Sequence, residues 1–506
     1  MKKNILEYFF ETVDALPNKI AVSESNAKIT FAQLDQSAQA LANKIIATKD
    51  LIKVPIAVYL DKSIDLIIAD IGITYSGNFF MNLDVKSPED RIRNIIDLVK
   101  PTLIITDAQK VSIVKELTNS HIIQVDDLKL RDENYARIDL KRRLNKLIDT
   151  DPFCVINTSG STGTPKGVVL NHRSYANYTR WGISKFNFNA DTKLGVLSPV
   201  IFDHFHYELC LMMTTGAELV LLDNNQAMFP IKILENLKSS QVNYIFWVPT
   251  IMVNIANMDL LSRISLPELK MIWFAGEVFP TKQFNYWRAH FPESVFVNLY
   301  GPTEATVDCT FYVVDRILAD DEPIPIGNSC NNTDVIILDD QNNIVDKEGE
   351  GELCIRGTSL AMGYYNNPEK TAEAFVQNPL NISYPEIIYR TGDVVEYNIY
   401  GELIFKGRKD TLIKHLGYRI ELGEIEHLAI NNLNLFKNAC ALYNQTKKEI
   451  LLVYESESEI PITIIRKELS RVLPKYMIPT IIDRVDQMPR NANGKIDRAL
   501  LRKMFC

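Results

Sequence analysis

The chain has no excess of positive charge. Lys and Arg number 55 against 63 Asp and Glu, a net charge of −8, which argues against nucleic acid or an acidic membrane surface as a general partner. Its seven cysteines, at positions 154, 210, 309, 330, 354, 440 and 506, include no C-x-x-C pair. That excludes a zinc or disulfide framework and fits free thiols in a reducing compartment. No apolar run is long enough to span a bilayer; the most apolar stretch, residues 209–222, is broken by Thr214, Thr215, Gly216 and Glu218. The opening, MKKNILEYFFETVD, carries acidic residues where a secretion signal needs an apolar core. The expectation is a soluble cytoplasmic protein with no membrane insertion. At 506 residues, 46% apolar and 23% charged, it is too long for one ordinary core and should form more than one domain.

What is present is an alternation of strand and helix patterns. Residues 4–16, 31–47, 63–76 and 174–185 have helical spacing, while 20–22, 55–60, 101–106, 194–200, 244–250, 271–276 and 295–300 read as short apolar strands. That alternation predicts an α/β protein with largely parallel sheets. Residues 140–147 read as a charged surface stretch. Beyond residue 409 the character changes to a charged helix over 420–428, a hairpin over 439–443 and 449–455, and a helix over 462–473. This reads as a small α+β domain.

The densest chemical signal is residues 157–168, NTSGSTGTPKGV, entered from the apolar run 153–156. Thr158, Ser159, Ser161, Thr162 and Thr164 offer hydroxyls, Gly160 and Gly163 let the backbone turn tightly, and Lys166 adds a fixed charge. A strand followed by such a loop suits phosphate. It is not a Walker A loop, because Lys166 follows Pro165 and precedes Gly167. Further on, Asp203 follows an apolar strand and Phe202; taken alone it is a turn or N-cap aspartate. Tyr300-Gly-Pro-Thr-Glu304 stands at a strand end, where open α/β sheets place ligands. Tyr389-Arg-Thr-Gly-Asp393, Gly407-Arg-Lys-Asp410 and Pro489-Arg-Asn-Ala-Asn-Gly-Lys495 follow in order. A Gly-Lys in a polar turn is, by itself, a surface lysine.

These stretches, in this order, resemble the signatures of the adenylate-forming superfamily. It includes acyl-CoA synthetases, luciferases and the adenylation domains of nonribosomal peptide synthesis. Gly351–Gly357 and residues 361–365 are similar to further core motifs, with Met362 where the family usually has Arg. The resemblance implies a large N-terminal domain, residues 1–408, of mostly parallel helix-flanked sheets plus a small barrel-like subdomain. A small mobile α+β domain, 409–506, would follow, with Asp410 at the hinge. ATP and Mg²⁺ are the implied cofactors. The implied ATP contacts are Thr158, Ser159, Gly160, Ser161, Thr162, Gly163, Thr164, Lys166, Gly276, Asn298, Tyr300, Thr303, Asp393, Phe405 and Arg408. Tyr300 would cover the base, Asp393 would accept both ribose hydroxyls, and Glu304 would hold Mg²⁺. Lys495, with Thr303 and Glu304, is the implied catalytic set. Phe405 stands where the family often has Tyr, which keeps stacking and loses a hydroxyl.

The amino-acid-activating branch has an acid at Asp203 to pair with the substrate ammonium, which acyl-CoA synthetases lack. Carried over, the pocket is Asp203, His204, Tyr207, Phe246, Trp273, Ala275, Leu299, Val307 and Asp308, closed by Lys495. Three large aromatics favour a small side chain, and Asp308 wants a hydroxyl or an ammonium. Serine is favoured, then alanine or glycine, then a basic residue such as ornithine. D-alanine–carrier protein ligases share the loop and the Gly276-Glu277-Val278 stretch. Gly417 matches the face that meets a phosphopantetheine thiol. No carrier segment is visible after Lys495, so a separate phosphopantetheinylated carrier protein is the expected partner. An acyl- or aryl-CoA ligase and a noncatalytic nucleotide-binding relative remain as alternatives.

Overall fold

The computed structural model describes residues 2–25, 27–127, 140–159, 165–223, 229–345, 349–409, 412–433, 435–436, 438–456, 458–490 and 496–506. The chain separates into two compact units. The first is residues 1–84, 100–156 and 168–409; the second is 85–99, 157–167 and 410–506.

Three sheets build the first unit. The largest runs, in spatial order, Asn328–Ser329, Thr310–Val313, Val295–Tyr300, Met271–Ala275, Tyr244–Trp247, Lys193–Val196, Glu218–Leu221, Ile20–Glu24 and Ala27–Thr30. Its interior pairings are parallel and its edges antiparallel. A second sheet orders His121–Gln124, Leu103–Thr106, Pro55–Tyr59, Phe79–Asn82, Pro152–Thr158 and Lys166–Asn171, again with parallel neighbours from Leu103–Thr106 to Phe79–Asn82. The third is an antiparallel sheet of Thr333–Leu338, Glu350–Gly357, Ile387–Tyr397, Phe375–Gln377 and Leu403–Arg408. The mixed α/β class with parallel sheets and a smaller barrel-like sheet is thus observed.

Local signals explain the helix limits. Thr30 and Gln33 form a capping box at the start of Phe31–Thr48, so the side chains satisfy two end groups of the backbone. Ser63 caps Ile64–Tyr75, and Asn171 caps His172–Phe186, which closes on left-handed Asn187. Val58, Phe80, Phe153, Tyr175, Phe205 and Trp273 belong to one buried cluster shared by helices and sheets.

The second unit has a sheet of Asn438–Asn444, Glu449–Glu455 and Ile481–Val485 and a hairpin of Leu412–His415 with Tyr418–Glu421. Helices Glu89–Val99, Leu422–His427, Ile462–Val472 and Arg498–Phe505 complete it. A buried ion pair joins Arg91 to Glu424.

Two stretches differ from the sequence reading. Residues 140–147 are more than a charged surface: Leu140, Leu144 and Leu147 are buried, because their spacing places the three leucines inward and the basic residues out. Residues 420–428 begin as the end of strand Tyr418–Glu421 before turning into Leu422–His427. Alternating Tyr418 and Ile420 were the strand signal there. A helix, Pro249–Asn257, also starts where only a turn was read, with Pro249 in its first turn.

Candidate active site

Asp203 opens the helix Asp203–Thr215, placed by an extended Phe202 and closed by left-handed Gly216. A carboxylate in the first turn complements the helix dipole. Asp203 is buried and accepts from the His204 backbone N–H at 3.0 Å, while the Tyr175 hydroxyl reaches its carbonyl at 3.5 Å. One turn on, Tyr207 lies parallel to Trp273, with ring centroids 5.9 Å apart and planes 4° apart. Parallel register sets Phe246 beside Trp273 and Ala275 beside Leu299. Phe246 meets Trp273 edge-on at 5.5 Å, and the His204 ring packs on Phe246 at 4.4 Å. The aromatic wall continues behind Trp273 through Phe186, Phe188 and Tyr244.

Asp308 is held from two directions. Thr306 and Val307 before it have φ of 54° and 68°, a costly left-handed conformation for β-branched residues. Gly301 packs against that turn so closely that a Cβ would lie 2.4 Å from the Asp308 Cα. From the other side the Tyr178 hydroxyl donates to Asp308 Oδ2 at 2.8 Å. Tyr178 was not among the residues read from sequence. It sits on a helix separated from Asp308 by 130 positions, and no local pattern links the two. Glu208, next to Tyr207, was also missed; burial pushes its carboxyl up to about 8.

A second cluster forms at the end of Val295–Tyr300. The Tyr300 hydroxyl and the Arg408 guanidinium both donate to the buried carboxylate of Asp393. Antiparallel register puts Asp393 opposite Arg408, and Arg408 also donates to the Thr391 carbonyl at 2.8 Å. Burial and the adjacent Asp393 charge push the Tyr300 hydroxyl well up. The Phe405 ring packs on Tyr300 at 6.2 Å. Thr303–Ala305 is a short 3-10 turn carrying fully buried Glu304, whose carboxylate accepts from the Tyr364 hydroxyl at 2.7 Å. Asn298 spends its side-chain amide on the Pro325 carbonyl at 2.7 Å, and Gly276 follows its strand with φ of 90°.

Within the second unit, Thr158 reaches the Lys166 carbonyl at 3.5 Å. Ser159 donates to the Arg419 carbonyl at 2.9 Å and accepts from the Glu421 N–H at 3.0 Å. Its hydroxyl is therefore engaged with the hairpin backbone. Gly417, φ 82°, follows Leu416, φ 53°, in that hairpin's turn, a pair that matches strand twist. Gly160, Ser161, Thr162, Gly163, Thr164, Asp410 and Lys495 lie outside the described residues.

The model of the AMP-binding enzyme family matches residues 9–365. The chain belongs to that family. It is 29% identical to gramicidin S synthase 1 of Brevibacillus brevis, over 99% of this chain and 44% of that protein, so it spans less than half of that relative. It is 30% identical to zwittermicin A synthase ZmaJ of Bacillus cereus, over 99% of this chain and 95% of the other. Among solved structures, the Vibrio cholerae adenylation domain AlmE, in complex with glycyl-adenosine-5'-phosphate, has the same fold. Its TM-score is 0.84 at 20% identity, covering 100% of this chain and 98% of that one. The resemblance read from the motifs stands.

For this AMP-binding enzyme, Glu304 with its Tyr364 partner offers one carboxylate, a usual protein share of a Mg²⁺ shell, in which phosphates and water would supply the rest. Among the described residues no group of three or more His, Cys, Asp or Glu could hold a metal by itself. No described helix is long and apolar enough to cross a membrane.

Proposed function

We propose that this AMP-binding enzyme activates a small amino acid, serine first and alanine or glycine next, as aminoacyl-AMP, and passes it to the phosphopantetheine thiol of a carrier protein. One observation carries the reading. The buried Asp203 carboxylate begins the helix that also supplies His204 and Tyr207 to a closed aromatic wall, and Asp308 contributes a second buried carboxylate. A buried carboxylate favours a cation or a hydrogen-bond donor beside it. An α-ammonium suits Asp203, and a side-chain hydroxyl suits Asp308. The volume taken by Tyr207, Phe246 and Trp273 supports a small substrate. The names of the relatives, synthases of gramicidin S and zwittermicin A and an adenylation domain in complex with glycyl-adenosine-5'-phosphate, support the same class.

In the first step the amino-acid carboxylate oxygen attacks the α-phosphorus of ATP. The bond to the β-phosphate oxygen breaks, and pyrophosphate leaves with the electron pair. In the second, the thiol sulfur attacks the activated carbonyl, loses its proton, and AMP leaves. The protein's task is to orient the reactants and stabilise charge on phosphate oxygens. Tyr300, Phe405 and Gly276 would hold the base, and Asp393 with Arg408 the ribose. Thr158, Ser159, Lys166 and Thr303 would hold the phosphates. Lys495 would bridge carboxylate and α-phosphate, and Gly417 would belong to the thiolation face. Mg²⁺ on Glu304 would neutralise phosphate charge.

The test is amino-acid-dependent exchange of labelled pyrophosphate into ATP across the proteinogenic amino acids, D-alanine and ornithine. A dominant serine signal supports the reading in full. A dominant alanine or glycine signal keeps the chemistry and discards the role of Asp308. Silence with amino acids and activity with fatty or aryl acids overturns the role of Asp203.

A further inference from the structure

We infer that Glu352 is a positioning residue for the nucleotide: its buried carboxylate holds the strand bulge that presents Asp393 to the ribose. The inference rests on the reading of Asp393 as the ribose acceptor and deepens it.

Strand register creates the need. Where Glu350–Gly357 pairs with Ile387–Tyr397, Glu352 faces Val394 and Cys354 faces Arg390, so Leu353 alone spans Thr391, Gly392 and Asp393. A bulge of this kind re-aims a side chain and takes backbone groups out of the ladder. Thr391 and Asp393 are buried, and buried backbone groups must then find other partners. The Gly392 N–H donates to Glu352 Oε1 at 3.1 Å, and the Asp393 N–H donates to the Thr391 hydroxyl at 2.9 Å. The Gly392 carbonyl accepts from the Lys409 N–H at 2.8 Å. Gly392 has φ of 72°, a conformation glycine adopts at little cost.

Glu352 supplies the charge in this frame. Its other oxygen accepts from Arg390 at 3.0 Å, with the Lys409 ammonium 3.8 Å away, so two cations fix where the carboxylate sits. A hydrogen bond to an ionised acceptor is stronger than a neutral one. Gly392 directly precedes Asp393, so the bond at its N–H sets the main chain from which the Asp393 side chain leaves. Arg408 and the Tyr300 hydroxyl act on the Asp393 carboxylate, whereas Glu352 acts on the backbone beneath it. A carboxylate has about four acceptor positions. Asp393 can therefore serve ribose hydroxyls alongside those two donors, provided the bulge keeps its aim.

The test is calorimetric binding of ATP and of dideoxy-ATP, the analogue lacking both ribose hydroxyls, to the full chain, Glu352→Asp and Glu352→Gln. The full chain should bind ATP on the order of a hundredfold more tightly than dideoxy-ATP, the effect of hydrogen bonds to a charged group. Glu352→Asp keeps the charge and withdraws the acceptor from Gly392 by one methylene. It should lower that ratio about tenfold by weakening ATP alone. Glu352→Gln keeps the acceptor and loses the charge, and should hold the ratio within about threefold. An unchanged ratio in Glu352→Asp overturns the inference. So does an equal loss in both variants, which assigns the effect to charge, or an equal weakening of both nucleotides, the mark of a merely structural residue. Should a variant not fold, hydrogen exchange at the Gly392 amide of the full chain decides. By linkage, a bulge that aids ribose binding is itself stabilised by it. ATP at saturation should slow that exchange more than dideoxy-ATP does, and equal slowing overturns the inference. A full chain with no preference for ATP overturns the ribose reading of Asp393 and this inference together, whereas a preference indifferent to Glu352 overturns the inference alone.

Discussion

The two polar clusters of the first unit solve the same problem in different ways. At the proposed nucleotide end, Asp393 receives a cation from the chain itself, Arg408, together with the Tyr300 hydroxyl. At the proposed amino-acid end, Asp308 receives the hydroxyl of Tyr178, and Asp203 accepts from the backbone of its own helix. A carboxylate compensated by a guanidinium is already stable, and a ligand there must share or exchange partners. The difference is one of architecture: Asp393 is held by strand register and side chains, Asp203 by the start of its helix.

The largest break in that comparison should come from Asp203→Ala. Losing one partner of a buried ion pair costs about 3–5 kcal/mol, so KM for the amino acid should rise on the order of 10²–10⁴-fold, with KM for ATP unchanged in exchange assays. Equal loss in both constants would mean that Asp203 holds the fold rather than the substrate. Asp393→Ala should do the reverse. Hydrogen bonds to a charged group contribute about 1.5–3 kcal/mol, so ATP binding should weaken about ten- to a hundredfold while the ranking of amino acids stays. Titration with ATP in a calorimeter checks this directly.

Gly301→Ala sharpens the contrast from the backbone side. The added methyl meets the Asp308 Cα at 2.4 Å, the Val307 carbonyl at 2.6 Å and the Cys309 N at 2.9 Å. All are main chain and cannot swing away. Overpacking of this sort costs about 1–3 kcal/mol. Thermal melting should shift down, and discrimination among amino acids should fall before ATP binding does.

Much of this was legible in the sequence because it is local. Strand ends ran into turns at Tyr300 and Gly276, and the order of motifs carried the family. Asp203 was legible as an acid after an apolar strand, although chain chemistry alone left it as an ordinary cap. Tyr178 and Glu208 were not legible. Each looks like one more residue on an amphipathic helix, and its importance comes from a partner brought near only by sheet register and helix packing. Residues 418–421 misled for a different reason: a strand of four residues passing directly into a helix leaves too short an alternation to separate the two periods.

The smallest expected effect on substrate binding concerns Glu208. Its carboxyl is buried beside Tyr207 and Tyr244, and burial raises it to about 8, against partial relief from the Lys62 charge. The folded chain therefore keeps this proton where the unfolded chain, near the ordinary 4.5, has released it. Stability from this group is complete below the unfolded value and drains away as pH rises toward 8, at a slope of up to about 1.4 kcal/mol per unit. Glu208→Gln keeps the shape and cannot ionise. It should melt like the unaltered chain at pH 5 and above it at pH 8, with KM for the amino acid unaffected at either pH. A constant offset between the two proteins across that range would mean that Glu208 is ionised in the folded state, and that the wall behind Tyr207 tolerates a charge.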